Sequence, residues 1–300
     1  MIEPAAQIRE RLDGGLVPAV PVPFRGRALD REALAAYARW MARQPIAGVA
    51  VNVHTGRGPH LTPDDRRLVL STWRAALPDR VLIAGAWDVA TAAEARALAA
   101  DALLAFPRSA DAGDAVAYHE HLGRELPVLA FYLYAAAGGA AYDDAALRGI
   151  LALPSVVGIK VATLDSVMTF QRLARLVTPL SDKLLMTGED RFLGYSLLLG
   201  ARSALVGMGA ALTDVQARLL CAHAAGDWPR FVALSAVCDR FGEATFTPPM
   251  EGYVRRMLWA AAADGAISAD ACDDPWGPAL PDAEREVVQQ AVRDARAALR

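Results

Sequence analysis

Lysine is nearly missing from this chain. Of its 31 basic residues only Lys160 and Lys183 are lysine; every other one is arginine. Arginine is therefore the expected cation at any position, and it cannot do what lysine does. A guanidinium stays protonated in proteins, whereas a desolvated ammonium readily becomes a nucleophilic amine. Cysteine is scarce as well. Cys221, Cys238 and Cys272 are an odd three without metal-ligand spacing, which reads as reduced intracellular thiols. The start, Met1-Ile2-Glu3-Pro4, lacks a basic region followed by an apolar run, so no secretory signal is visible. Nor does any uncharged apolar run reach membrane-spanning length. Charge of one sign does not accumulate: the formal net charge is -3 and scattered, which argues against nucleic-acid or membrane partners. The expectation is a cytoplasmic protein whose partners are small molecules.

What is present is a regular alternation. With 300 residues and 54% hydrophobic content, one large core is available. Apolar runs at Leu16 to Phe24, Gly48 to His54, Val81 to Asp88, Ala102 to Pro107, Val128 to Tyr134, Val156 to Thr163, Leu184 to Asp190 and Ala204 to Ala210 alternate with segments of helical spacing. Thr62 before Pro63 reads as a helix cap, and Thr91 to Glu94 as a capping box. Eight strand-helix units without a Gly-rich dinucleotide loop predict an α/β fold, a (β/α)8 TIM barrel, rather than an open doubly wound sheet. From about Thr213 the pattern is purely helical. The division expected is a catalytic barrel over residues 1–225 and a C-terminal helical extension over 226–300, with no chemistry visible in the latter.

Lys160 sits inside an apolar strand, Val156-Val157-Gly158-Ile159-Lys160-Val161-Ala162-Thr163. Alternation puts Val157, Ile159 and Val161 on one face and Gly158, Lys160 and Ala162 on the other. Apolar walls that lower the amine's pKa, with small neighbours leaving room for a carbonyl, suit a Schiff-base lysine; snorkelling to water is the plainer alternative. In Leu129 to Tyr134 the same rule sends Ala130, Tyr132 and Tyr134 inward, toward the barrel mouth, where a phenol can relay protons. Asn52 and His54 are likewise read as inward. The Thr55-Gly56 turn offers a hydroxyl and backbone N–H groups to a carboxylate. His119 and His121 are two apart on a helix and cannot share a face, so a metal site is not expected there.

Thr55-Gly56, Tyr132, Gly139 and Gly158-Ile159-Lys160, with Tyr132 lying 28 residues before Lys160, resemble the dihydrodipicolinate synthase / N-acetylneuraminate lyase superfamily. Thr187-Gly188-Glu189-Asp190 and Gly207-Met208-Gly209 resemble its signatures at strands seven and eight. The resemblance runs from about Leu16 to Leu212. It implies a (β/α)8 barrel, a class I, metal-free Schiff-base mechanism on a 2-oxo acid such as pyruvate, and a homo-oligomer, dimer or tetramer. Carried over, Lys160 forms the imine, Tyr132 moves protons, and Thr55 with the Gly56 amide holds the carboxylate. His54, Tyr134 and Gly207 are further candidates for substrate contacts.

The chain also departs from that pattern. His54-Thr55 replaces paired threonines, and Arg57 stands where a glutamate is usual. Pro107-Arg108-Ser109 replaces Pro-Tyr-Tyr, and Ala137 falls where the synthase carries an arginine. These departures argue against condensation with aspartate semialdehyde. Arg57 and Arg108 are candidates for a relocated cation. The expected activity is that of a lyase, aldolase or dehydratase, on a 2-oxo acid, with no cofactor beyond the covalent imine. The alternative is a non-catalytic 2-oxo-acid-binding barrel that has lost part of the proton relay.

Overall fold

Each of the eight apolar runs forms a parallel strand, and most stop before their polar residues begin. Helix α1 (Ala5–Leu12) leads into β1 (Leu16–Pro18), followed by the hairpin strands β2 (Phe24–Arg25) and β3 (Ala28–Leu29) and by α2 (Arg31–Met41). Then come β4 (Gly48–Val51), α3 (Pro63–Ala76), β5 (Val81–Ala86), α4 (Val89–Ala97), β6 (Ala102–Ala105), α5 (Ala112–Gly123), β7 (Val128–Leu133) and α6 (Asp144–Ala152). The barrel is completed by β8 (Val156–Ala162), α7 (Val167–Val177), β9 (Leu184–Thr187), α8 (Leu193–Leu198) and β10 (Ser203–Val206). This computed structural model describes residues 4–108, 111–164 and 166–299; Met1 to Glu3 and Ser109, named above, lie outside them.

The barrel strands are ordered β1-β10-β9-β8-β7-β6-β5-β4, all in parallel register. A bridge between Ala19 and Ala50, with the Val20 N–H donating to the Ala50 carbonyl at 3.1 Å, joins the two ends. The first expected strand, Leu16 to Phe24, is broken. Pro21 and Pro23 have no N–H for a ladder, so Phe24 belongs to the separate hairpin.

Two apolar layers hold the fold. Inside the barrel, Val17, Ala50, Ile83, Leu104, Leu129, Phe131, Met186 and Leu205 form one cluster, which Ile8 and Leu12 of α1 join. Outside, the opposite strand faces pack against helix residues such as Leu34, Tyr37, Trp73, Ile150 and Phe170.

Local chemistry sets the helix starts. The Thr62 hydroxyl accepts from the Asp65 N–H ahead of Pro63, as expected. For α4 the reading needs correction: Asp88, not Thr91, is the N-cap, and Thr91 is the returning partner of the capping box. An acidic side chain three residues earlier took the cap. Among the described residues, no helix is long and apolar enough to cross a membrane.

Past β10 lie α9 (Thr213–Ala224), α10 (Trp228–Thr245), α11 (Tyr253–Ala263) and α12 (Asp282–Ala297). The buried Arg256 of α11 donates to the carbonyls of Thr247 and Pro249, at 2.6 and 3.2 Å, and to Glu284 at 2.7 Å. One guanidinium therefore shapes the α10–α11 connection and ties it to α12. That connection runs across the C-terminal ends of the barrel strands.

Candidate active site

Lys160 is brought inside by β8, whose pairing slips once. Val128 opposes Val156 while Leu129 opposes Gly158, so Val157 is an extra residue in the ladder. Such a bulge turns the alternation over. Val157 therefore faces the interior, against expectation, while Lys160 and Ala162 face it as expected and Ile159 and Val161 face the helices. Lys160 lies between Phe131 on β7 and Met186 on β9. Its Nζ stands 4.3 Å from the centroid of the Phe131 ring, and the residue is 6% exposed. Among the described residues, this amine has no hydrogen-bond or ion-pair partner. Gly188 leaves the space it needs, because a Cβ there would lie 2.6 Å from Lys160 Cε.

Burial pulls the Lys160 amine down to about 8, opposed by the charges of Asp190 and Glu189. Burial pushes both of those carboxyls up. Asp190 accepts from the Met208 N–H at 2.6 Å. Glu189 accepts from Thr163 N–H and Oγ1 and from Leu164 N–H, so it anchors the loop after β8.

The other wall of the cavity comes from the loop after β4 and from the C-terminal helices. His54, Thr55, Tyr134, Gly207, Phe246 and Tyr253 line it together with Lys160 and Asp190. The Tyr253 hydroxyl lies 2.9 Å from His54 Nδ1 and 3.1 Å from Thr55 Oγ1, and its ring stacks on Phe246 with centroids 4.9 Å apart. His54 Nε2 faces Glu251 Oε2 at 3.5 Å, while Tyr134 donates to Glu251 Oε1 at 3.1 Å. Burial, partly opposed by Glu251, pulls His54 down to about 4, so the ring is neutral near pH 7. Against its own burial, the facing His54 and Arg57 hold Glu251 below the usual carboxylate range. The cavity is small, about 30 Å3, with room for ordered water.

Arg57 is occupied. It donates to Asp274 through Nε and Nη2, at 3.2 and 2.7 Å, and to the Glu251 carboxylate and carbonyl at 2.8 and 3.0 Å. It is thus a clamp between the β4 loop and the C-terminal segment. Arg108 is exposed, far from a cationic role here: it caps the Trp87 carbonyl at 3.2 Å and lies over the Tyr118 ring.

Several expected placements need correction. Leu129, Phe131 and Leu133 face the barrel interior, whereas Ala130 and Tyr132 face the helices, the reverse of the reading above. Tyr132 packs against Tyr142 and lines a separate recess with Ala141, Ser166 and Thr169, so the structure does not bring it to Lys160. Tyr134 does reach the cavity, because it lies one residue beyond the strand. Asn52 turns outward, its backbone left-handed at φ 53°, and its amide donates to the Arg66 carbonyl of α3. Gly56 is buried beside Thr55 against Val20 and Asn52, without lining the cavity.

Tyr253, Glu251 and Phe246 were not legible as site residues. The helical segment was read as free of chemistry, yet it supplies all three. The available signal was the Thr247-Pro248-Pro249 break, which directly follows Phe246 and precedes Glu251 and Tyr253. Among the described residues, no group of three or more His, Cys, Asp or Glu side chains is arranged to hold a metal. A wider cleft of about 450 Å3 at Asp88, Arg108, Tyr118 and His121 lies on the surface near α4 and α5, apart from the lysine.

No family model matches this chain, and no curated protein matches its sequence. Likeness appears in three dimensions. A catalytic-lysine mutant of the sialic acid aldolase of Ruminococcus gnavus aligns with TM-score 0.83 and 17% identity, over 97% of this chain and 97% of its own. The dihydrodipicolinate synthase of Oceanobacillus iheyensis aligns with TM-score 0.83 and 17% identity, over 98% and 99%. For the dihydrodipicolinate synthase of Agrobacterium tumefaciens the values are 0.81 and 24%, over 98% and 100%. The TIM barrel and its C-terminal helices are therefore a fold shared with these proteins along nearly their whole length.

Proposed function

We propose that this chain is a divergent member of the dihydrodipicolinate synthase / N-acetylneuraminate lyase superfamily, and that it acts as a Schiff-base lyase on a 2-oxo acid through Lys160. One observation carries the reading: a lysine in a chain that otherwise uses arginine, buried at the strand ends, without an ion-pair partner and with its amine pulled down to about 8. An amine held close to neutrality is the form that attacks a carbonyl. The R. gnavus aldolase, of the same fold, has a catalytic lysine. Once formed, the protonated imine is an electron sink. The adjacent carbon then loses a proton, or a bond beta to the imine breaks, giving aldol cleavage or loss of water.

Thr55, at the mouth, is the proposed carboxylate contact through its backbone N–H, its hydroxyl being bonded to Tyr253. With Arg57 clamped and alanine at 137, the cavity has no spare arginine among the described residues, which favours a substrate with one carboxylate.

The test is borohydride reduction in the presence of pyruvate and other 2-oxo acids, followed by peptide mass spectrometry. An adduct on Lys160, absent in Lys160→Ala, is the expected result. No adduct with any acid on the folded protein sinks the proposal. A second reading, a binder without turnover, gains weight from Phe131 facing the lysine where a hydroxyl was expected. Turnover of any trapped acid, lost in Lys160→Ala, eliminates it.

A further inference from the structure

Imine chemistry at Lys160 needs a group that gives and takes protons beside the amine. The strand position facing Lys160 is Phe131, which carries no such proton, and Tyr132 lies behind the strand. The Tyr134 hydroxyl donates to the Glu251 carboxylate, whose charge opposes the phenolate that a base must form. Tyr253 remains. The residue is buried and lines the same cavity as Lys160, and its hydroxyl bridges Thr55 Oγ1 and His54 Nδ1. The carboxylate facing His54 Nε2 favours the tautomer with the proton on that nitrogen, leaving Nδ1 as an acceptor. Tyr253 then donates to His54 and accepts from Thr55. The phenol is held at a defined place by two partners of opposite sense.

We propose that Tyr253 is the catalytic acid and base of this site, with Thr55 and His54 as its positioning residues, so that the reacting hydroxyl comes from α11 rather than from a barrel strand. The proposal rests on the reading of Lys160 as the imine-forming amine.

The steps balance within the site. The neutral amine attacks C2 of a 2-oxo acid: the C–N bond forms, and the carbonyl π pair moves to oxygen. Tyr253 gives that oxygen its proton and takes one from the new ammonium nitrogen, leaving a neutral carbinolamine. It then protonates the hydroxyl, which departs as water with the C–O pair, while the nitrogen lone pair closes the iminium. The phenolate left behind accepts from Thr55 and removes a proton from C3. An enamine forms and the phenol is restored, with no external acid, base or oxidant consumed.

The experiment uses the full chain with pyruvate and 2-oxobutyrate as probes. Two readouts are followed: the borohydride-trapped adduct on Lys160 at equilibrium, and exchange of the C3 protons with deuterium by NMR. Tyr253→Phe keeps the ring on Phe246 and removes only the oxygen. It is expected to form the Lys160 adduct while exchange falls about 100-fold or more, the scale of general acid–base catalysis. Tyr132→Phe is expected to stay within about twofold of the parent on both readouts. Exchange at the parent rate in Tyr253→Phe overturns the proposal and leaves the lysine reading intact. So does a folded Tyr253→Phe protein that forms no adduct, because the hydroxyl would then serve binding. No adduct in the unmodified protein ends both.

Discussion

Replacing Lys160 with methionine examines the buried amine without any substrate. The side chain keeps nearly its length and loses its charge. In the folded protein the amine titrates near 8, against an ordinary lysine value of 10.5 when the chain is unfolded. The folded-state value is the lower one, so between these limits the unfolded chain binds more protons and stability rises with pH. Below about pH 8 the full cost of stripping the amine of water applies. At pH 7 it amounts to about 3 kcal/mol. That shift already includes the opposing attraction of Asp190 and Glu189, so the net expectation is about 3 kcal/mol in favour of Lys160→Met. At pH 10 most of the difference should be gone. Urea unfolding of both proteins at pH 7 and pH 10 measures it directly, through the shift in midpoint at unchanged slope. A variant no more stable than the parent at pH 7, or equally stabilised at both pH values, would falsify the idea of an unpaired, desolvated amine. Stability given up at one residue is also what a functional lysine is expected to show.

The same amine sets a kinetic expectation: the initial rate of adduct formation with pyruvate should rise about tenfold per pH unit from pH 6 to 7 and flatten above about 8, where Lys160 is neutral. A rate flat from pH 6 to 9 would disagree. Gly188→Ala places a methyl group 2.6 Å from Lys160 Cε, so trapping should drop by at least about tenfold while the protein stays folded, as read by circular dichroism. Arg57→Met leaves Asp274, with its side chain 1% exposed, as a buried carboxylate without its cation; urea unfolding should show a loss of about 3–5 kcal/mol. A loss under about 1 kcal/mol would mean the clamp is ornamental.

The barrel was readable in the sequence because eight apolar runs and their intervening helical periods repeat, and periodicity needs no knowledge of distant contacts. Lys160 was readable for a different reason, its chemical oddity in an arginine-based chain. The facing of individual residues was less secure. The bulge at Val157 inverts the face of the β8 residues before it, and on β7 the alternation was assigned the opposite phase, which put Tyr132 in the mouth and Phe131 behind it. Asn52 escaped in the same way, because a left-handed backbone at the strand end is invisible to a period of two. The contribution of α11 was beyond local reading altogether. Tyr253 is 198 residues from Thr55, and nothing in the spacing of either announces the other.

What joins them is the ion network around Arg57. A guanidinium buried with Asp274 and Glu251 gains little net stability, because the cost of dehydrating the charges is comparable to their attraction. Its value lies in geometry. Arg57 sits two residues after Thr55, Glu251 two before Tyr253, so one clamp fastens both halves of the Thr55–Tyr253 pair across the mouth. Arg256 secures the same segment from its other side through Thr247, Pro249 and Glu284. A strand hydroxyl would need neither device, since the sheet ladder already holds its backbone. A hydroxyl delivered by a terminal helix has no ladder, and the two buried arginines supply the placement that the barrel strand does not.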